Sequence, residues 1–252
     1  MARNKPDREY IAPVQKIRLR YAKRGPLKFS SHRDFQRAFE RAVRRVGVPM
    51  AYSAGFNPHP KISYANAAAT GHASEAEYVE IGLSAVVEPQ QLVNALAAAM
   101  PPGLDVIEAV VARTSDFAER FQASVWHIAL PKLDAKQLET AVTAFLGAST
   151  IEVSRMTKNG LRVFDARSAV LSARVEPSEM TEIGVSCAIL RLVVQHVTPS
   201  VRPDDVLAAI SQVADLSFEV TPRVTRIAQG PLTEAGDEVE DPLDQDRIFI
   251  SD

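Results

Sequence analysis

Two neighbouring pieces of sequence decide the fold: VQKIRLRY (residues 14–21) and SSHRDFQRAFERAVRRVG (residues 30–47). The first alternates apolar and basic residues, which predicts a β-strand with one buried face. The second opens with Ser31 and Asp34 at the spacing of a capping box. Apolar residues then recur every three or four positions up to Gly47, which is typical of an amphipathic helix closed by glycine. A strand followed by such a helix predicts a domain with mixed α and β structure.

The pattern continues beyond this helix. Residues 48–64 are interrupted by Pro and Gly and predict an extended segment, and AEYVEIGL (76–83) alternates as a strand. Pro89 opens a second helix, and LDVIEAVVAR (104–113) is a further strand. The resulting order, β-α-β-β-α-β, is that of a ferredoxin-like unit.

The same order recurs after residue 122. Strands are predicted at 124–130, within 151–175, at 187–195 and at 218–227, with helices beginning after Asp134 and at Pro203. We therefore predict an α+β fold with two tandem ferredoxin-like (βαββαβ) units. The expected boundaries are a disordered leader 1–13, a first unit 14–113, a second unit 123–230 and a disordered acidic tail 231–252.

Charge is distributed unevenly along the chain. Residues 1–45 hold 14 Lys or Arg against 4 Asp or Glu, whereas the tail 231–252 holds 8 acids and 1 Arg. The tail therefore has a net charge of −7. Because the whole chain has a net charge of −2, the remainder carries +5. This asymmetry favours an anionic partner for the basic part. In the alternative interpretation, the tail only aids solubility or covers the basic surface.

Composition also excludes several classes of protein. Cys187 is the only cysteine, so no intrachain disulfide and no cysteine-based metal site are expected. The five histidines lack metal-ligand spacing, no phosphate-binding glycine motif is present, and no cofactor is predicted. No apolar run approaches the ~18 residues of a membrane span, and the N-terminus lacks a signal-peptide pattern. We expect a cytoplasmic protein without a membrane partner.

The first helix holds the clearest candidate binding residues. Its arginines are spaced four, four and three positions apart, so they fall on one narrow face opposite the apolar residues. These residues are Arg33, Arg37, Arg41 and Arg44. Arginine forks suit phosphate groups, so this row predicts binding of RNA or another phosphate-rich ligand. Nothing in the row implies DNA specifically. The alternative is a solvated helix face on which Glu40 pairs with Arg44.

The loop YSAGFNPHPKISYA (residues 52–65) is the second candidate element. Prolines on both sides of its histidine restrict the backbone, and a rigid polar loop is suited to recognition. Its aromatic rings and hydrogen-bond donors are the groups that stack on bases and contact phosphates. The candidate ligand-binding residues are Tyr52, Phe56, Asn57, His59 and Lys61. The alternative is a structural turn that leads into the next strand.

Residues 27–83, which include the helix and the GFNPHPKIS loop, resemble a bacterial family of radical SAM-linked (radical SAM-associated) proteins. The resemblance extends over roughly residues 14–113 and weakens towards residue 230. It implies a stand-alone family member, of a domain of unknown function, that works with a radical SAM enzyme encoded nearby. The chain lacks a C-x-x-x-C-x-x-C motif, so any cluster chemistry would belong to that partner.

A second resemblance is architectural. Tandem ferredoxin-like units with a basic first helix look like CRISPR-RNA-processing endoribonucleases, which often use a histidine near the first helix and no metal. His32 fits that position and His59 is the other candidate acid/base, although RIAQGP (226–231) is a poor match to the expected glycine-rich loop. Three hypotheses follow: a non-catalytic RNA-binding accessory protein, a metal-independent endoribonuclease, and a protein-interaction module.

Overall fold

A computed structural model describes residues 12–54, 56–158, 160–180 and 186–247. In these ranges the chain is a mixed α+β protein with four α-helices and a mostly antiparallel sheet. It divides into two compact units, Glu119–Pro242 and the residues on either side of that segment. None of the described helices is long and apolar enough to cross a membrane. Residues 1–11 of the predicted leader 1–13 lie outside the described residues.

The first unit contains four strands and two helices in the order predicted from the sequence. They are β1 (Gln15–Lys23), α1 (His32–Arg45), β2 (Ile62–Ala65), β3 (Ala73–Leu83), α2 (Pro89–Ala99) and β4 (Leu104–Val111). The strands lie in the order β4-β1-β3-β2, and each neighbouring pair is antiparallel. The last of these strands is thus hydrogen-bonded to the first.

Local sequence explains how α1 is placed on this sheet. Ser31 and Asp34 form the predicted capping box, in which the Ser31 N–H donates to Asp34 Oδ2 at 3.0 Å. Phe35 is buried and stacks on Tyr21 of β1, with ring centroids 4.0 Å apart. Gly47 follows the helix with a φ of +69°, the left-handed conformation that glycine adopts at low cost. Burial of one helix face leaves the arginine face outward.

The second unit repeats the strand order of the first. Its elements are β5 (Ala123–Pro131), α3 (Ala135–Gly147), β6 (Glu152–Thr157), β7 (Gly160–Asp165), β8 (Val170–Met180), β9 (Ser186–Gln195), α4 (Pro203–Ala214) and β10 (Arg223–Gly230). The strands lie in the order β10-β5-β9-β8, all antiparallel, and β6 and β7 form a separate hairpin. Asp134 caps α3 as predicted, because its side chain accepts from two backbone N–H groups.

The expectation of disorder from residue 231 onward is wrong for residues 231–247. Leu243 and Asp246 are buried, and Glu238 makes a two-pronged ion pair with Arg191. Arg247 binds Glu108 of β4 with N–O distances of 2.8 and 2.9 Å. Glu238 and Asp246 therefore pair with cations of the fold, which composition alone could not indicate. Residues 248–252 of the predicted tail lie outside the described residues.

Candidate functional site

The arginine row of α1 lies on the surface of the first unit. Arg33, Arg37, Arg41 and Arg44 are all exposed, as their spacing predicted. Among the residues that the structure describes, no carboxylate forms an ion pair with any of the four. The anticipated pairing of Glu40 with Arg44 is therefore not formed. An exposed row of this kind keeps its guanidinium groups available to an external anion.

The 52–65 loop is a hairpin with a defined neck. Tyr52 and Pro60 form an antiparallel bridge, and the Ser53 N–H donates to the His59 carbonyl at 2.8 Å. The His59 N–H in turn donates to Ser53 Oγ at 3.0 Å. These bonds hold the backbone on both sides of the tip. The loop is thus closed largely by its own backbone, and His59 remains exposed.

A cleft of about 380 Å³ separates the second half of α1 from this hairpin. Its apolar lining includes Val43, Met50 and Ile62. Its polar and aromatic lining residues are Glu40 and Arg44 from the helix and Tyr52 and His59 from the hairpin. The structure therefore brings together three of the residues predicted from the sequence: Arg44, Tyr52 and His59.

The remaining candidates lie outside this lining. Phe56 and Asn57 occupy the exposed tip of the hairpin, and the Phe56 side chain is 88% exposed. Lys61 lies at the base, where its N–H donates to the Ala51 carbonyl at 2.8 Å. Arg41 lines a second groove, of about 480 Å³, between α1 and α2. Two arginines of the row, Arg44 and Arg41, thus line different grooves.

His32 lies at the start of α1, away from the cleft lining. The Gln36 side-chain amide donates to His32 Nε2 at 3.0 Å, one helical turn further on. The His32 ring also meets the ring of Tyr64 edge-on, with centroids 5.0 Å apart. Of the two histidines proposed as acid or base, only His59 lines the cleft. His32 and His59 therefore do not line the same cleft.

Two residues beside this site are absent from the binding residues predicted from the sequence. Glu40 was considered only as a partner of Arg44, yet it contributes the carboxylate of the cleft wall. Tyr64 has a buried hydroxyl oxygen with no hydrogen-bond partner among the described residues. Burial raises the pKa of the Tyr64 phenol, and the negative charge of Glu40 raises this pKa further. The position of Glu40 one turn before Arg44 was the signal available in the sequence.

The fold and the candidate site define an α+β protein with a basic helix face beside a small, mixed polar and apolar cleft. The chain belongs to the bacterial family described as "Uncharacterized protein conserved in bacteria (DUF2344)", whose model matches residues 16–203, about three quarters of the sequence. That match includes α1, the hairpin and the cleft between them. A comparison with curated proteins gave no match. The family description names neither a reaction nor a partner.

Proposed function

We propose that this protein is a non-catalytic, cytoplasmic binding protein that holds single-stranded RNA along the outer face of α1. The observation that carries the proposal is the row of four exposed arginines, none of which forms an ion pair with a carboxylate of the described residues. Positive groups along a helix replace the counterions of a nucleic-acid backbone, and their release favours binding. Guanidinium groups can also contact phosphate oxygens with two N–H donors at once.

The aromatic residues of the hairpin favour single-stranded RNA over a duplex as the ligand. Tyr52 presents a ring that is 55% exposed in the cleft beside the arginine-bearing helix, and Phe56 presents an exposed ring at the tip of the hairpin. Aromatic rings stack on bases that are not already paired and stacked in a helix. A strand bound along α1 would therefore have ring faces available at the side of the hairpin.

Binding of fluorescently labelled decauridine, measured by anisotropy over a series of salt concentrations, tests this proposal. In Arg37→Ala/Arg41→Ala we expect weaker binding and a shallower dependence of log K on log salt, by about 0.7 for each phosphate that is no longer neutralised. The matched control is Arg162→Ala/Arg223→Ala, which removes two exposed arginines of the second unit. The control should retain the wild-type slope.

Two outcomes contradict the proposal. One is the absence of salt-dependent binding to decauridine by the wild-type protein. The other is an equal loss of affinity in both double variants, because that result would reflect total charge rather than the α1 row. Circular dichroism of each variant verifies that the fold is retained.

The resemblance to radical SAM-linked proteins supports a further part of the proposal, namely that the bound strand is presented to a radical SAM enzyme. The single, buried Cys187 cannot supply the three cysteines of such a cluster, so the cluster would belong to the partner. We also propose that each unit is a ferredoxin-like unit, because the order last-first-third-second occurs among the strands of both units when the β6–β7 hairpin is set aside. Co-purification of the tagged protein with a co-expressed radical SAM enzyme from the same organism tests the partnership, and its absence contradicts it.

A metal-independent endoribonuclease is the second candidate. The observation that favours it is the position of His59 in the cleft near Arg44, where an imidazole could exchange protons and a guanidinium could bind phosphate. Incubation with labelled RNA in a chelating buffer separates the two functions. Cleavage that disappears in His59→Ala supports the nuclease, whereas intact RNA that remains bound supports the non-catalytic function.

A further inference from the structure

The cleft between α1 and the hairpin has the dimensions of a site for one small ligand. Its volume, about 380 Å³, lies near the lower end of the range of roughly 300–1,000 Å³ for ligand pockets. A single nucleotide fits within such a volume, whereas a paired stem does not. The cleft also adjoins Arg44, the last arginine of the row. A strand held along α1 would therefore pass the mouth of the cleft.

The walls of the cleft suit a flat heterocycle. Val43 and Met50 are buried and give one side an apolar surface, to which Ile62 adds. Tyr52 offers an exposed ring from the hairpin side. Apolar surface with one available aromatic ring is the environment in which an unpaired base stacks.

Glu40 determines which base edge the cleft can accept. An ionised carboxylate only accepts hydrogen bonds, and its two oxygens can accept from two adjacent donors. The described residues provide no ion-pair partner for Glu40, so both oxygens are available to a ligand. The carboxylate also repels phosphate from its side of the cleft and leaves Arg44, four residues further along the helix, for that group.

The four bases differ in the edge that they present to such a carboxylate. Guanine has two adjacent donors, N1–H and the N2 amino group, which match the two oxygens. Adenine and cytosine place one amino group beside a ring-nitrogen acceptor, and uracil places one N–H between two carbonyls. A carboxylate therefore gains two hydrogen bonds from guanine and meets an acceptor on each of the other bases.

We infer that the cleft is a single-nucleotide pocket for guanine, in which Glu40 accepts from the Watson–Crick edge, Tyr52 stacks on the base and Arg44 contacts a phosphate. The inference rests on the proposed binding of a strand by α1, and it adds base preference at one position. Glu40 acts here as a specificity residue, and the arginine row contributes affinity for any sequence.

Anisotropy titrations compare decauridine with decamers that carry one central guanine, adenine or cytosine, and a separate titration uses free GMP. For the wild-type protein we expect one guanine to improve affinity by about ten-fold, in line with a two-pronged base contact. Adenine and cytosine should give little improvement. In Glu40→Gln the gain from guanine should disappear, whereas affinity for decauridine should stay equal or rise because a negative charge is removed.

Glu152→Gln is the matched control, because it removes the same charge from an exposed position at the start of β6. It should keep the guanine preference. Equal affinities of the wild-type protein for all four decamers, or a preference that survives in Glu40→Gln, would overturn the inference. If decauridine and its guanine variant bind alike and salt dependence persists, the proposed function stands and only the pocket assignment fails. Binding of free GMP without binding of any decamer overturns both.

Discussion

Two regions of the first unit hold arginines in opposite environments. Arg18, in the middle of β1, is 2% exposed, and its guanidinium binds Glu80, Thr114 and Asp246 while lying over the Phe117 ring. Arg37, near the middle of α1, is exposed and has no ion pair with any described residue. One residue type thus serves two purposes. The arginine inside the fold has its hydrogen bonds satisfied by the fold, whereas those on α1 remain available to a ligand.

The difference follows from the periods of strand and helix. Arg18 lies between Ile17 and Leu19, so the alternation of β1 places it on the face of the sheet opposite α1, paired across the strands with Glu80. The tail segment that carries Asp246 covers this face within the unit. The arginines of α1 are four, four and three residues apart and share one exposed helix face. Among the described residues, no carboxylate forms an ion pair with any of them. A buried charge requires a partner, whereas an exposed one does not.

The largest effect should come from breaking the buried cluster. Arg18→Ala removes the guanidinium that pairs with buried Asp246, and removal of one member of a buried ion pair typically costs about 3–5 kcal/mol. We expect a large fall in the denaturant midpoint of Arg18→Ala, measured by circular dichroism. Arg37→Ala is the matched variant on α1 and should change the free energy of unfolding by about 0.5 kcal/mol or less.

A double variant tests the same prediction even if Arg18→Ala fails to fold. Arg18→Met/Asp246→Asn removes both charges. The amide oxygen of the introduced asparagine can still accept from the N–H groups of Arg113 and Thr114, so this variant should recover part of the stability. Glu80 remains compensated in that variant, because Lys16 Nζ lies 2.9 Å from Glu80 Oε1. Equal falls in stability for Arg18→Ala and Arg37→Ala would contradict the distinction between the two environments.

Tyr64 tests the opposite case, a buried polar group that has no described partner. Its hydroxyl lies near Glu40, and the described residues accept no hydrogen bond from it. An unsatisfied buried polar group costs roughly 1–3 kcal/mol, so Tyr64→Phe should raise the free energy of unfolding by about 1 kcal/mol. Thermal melts of Tyr64→Phe and Tyr52→Phe make the comparison, because the Tyr52 side chain is 55% exposed and its hydroxyl should contribute little. A lower melting temperature for Tyr64→Phe would contradict the prediction.

The sequence predicts these features to different degrees because they depend on contacts at different separations. The Ser31–Asp34 capping box and the exposed arginine row follow from residues within one or a few helical turns, and the structure contains both. The contact of Arg18 with Asp246 joins residues 228 positions apart, so no local pattern indicates it. Acidic composition predicted disorder for the tail, yet the buried ion pair of Asp246 with Arg18 and the buried Leu243 attach it to the fold.

The residues of the candidate site also differ in how well the sequence predicted them. Arg44, Tyr52 and His59 were predicted from residue type and loop rigidity, and they line one cleft. Glu40 was missed as a ligand contact because its helical spacing to Arg44 suggested an ordinary ion pair. Whether two helix residues pair or face a third element depends on where the hairpin lies, which is a matter of tertiary structure. Sequence patterns therefore located the helix face more reliably than the pocket beside it.

The smallest expected effect concerns Asp34, which connects the arginine row to the start of its own helix. The Ser31 hydroxyl donates to the Asp34 carboxylate and has the larger effect in holding the Asp34 pKa below its ordinary value of 3.8. The Ser31 N–H donates to the same carboxylate and adds to this effect, and the positive charge of Arg37 lowers the Asp34 pKa further. A lowered pKa in the folded state means that the ionised carboxylate stabilises the fold. This contribution is present above about pH 4 and disappears as the pH falls through the folded-state pKa.

The test of Asp34 is a set of thermal melts of the wild-type protein and Asp34→Asn from neutral to acidic pH. The wild-type protein should melt at the higher temperature near neutrality, and the difference should shrink as the pH falls below about 4. In Arg37→Ala, removal of the neighbouring positive charge should move this decline towards higher pH. A difference that stays constant across the whole range would mean that the capping carboxylate does not contribute through its charge. Arg37 would then not be coupled to the stability of the fold through Asp34, in contrast to Arg18, which pairs with buried Asp246.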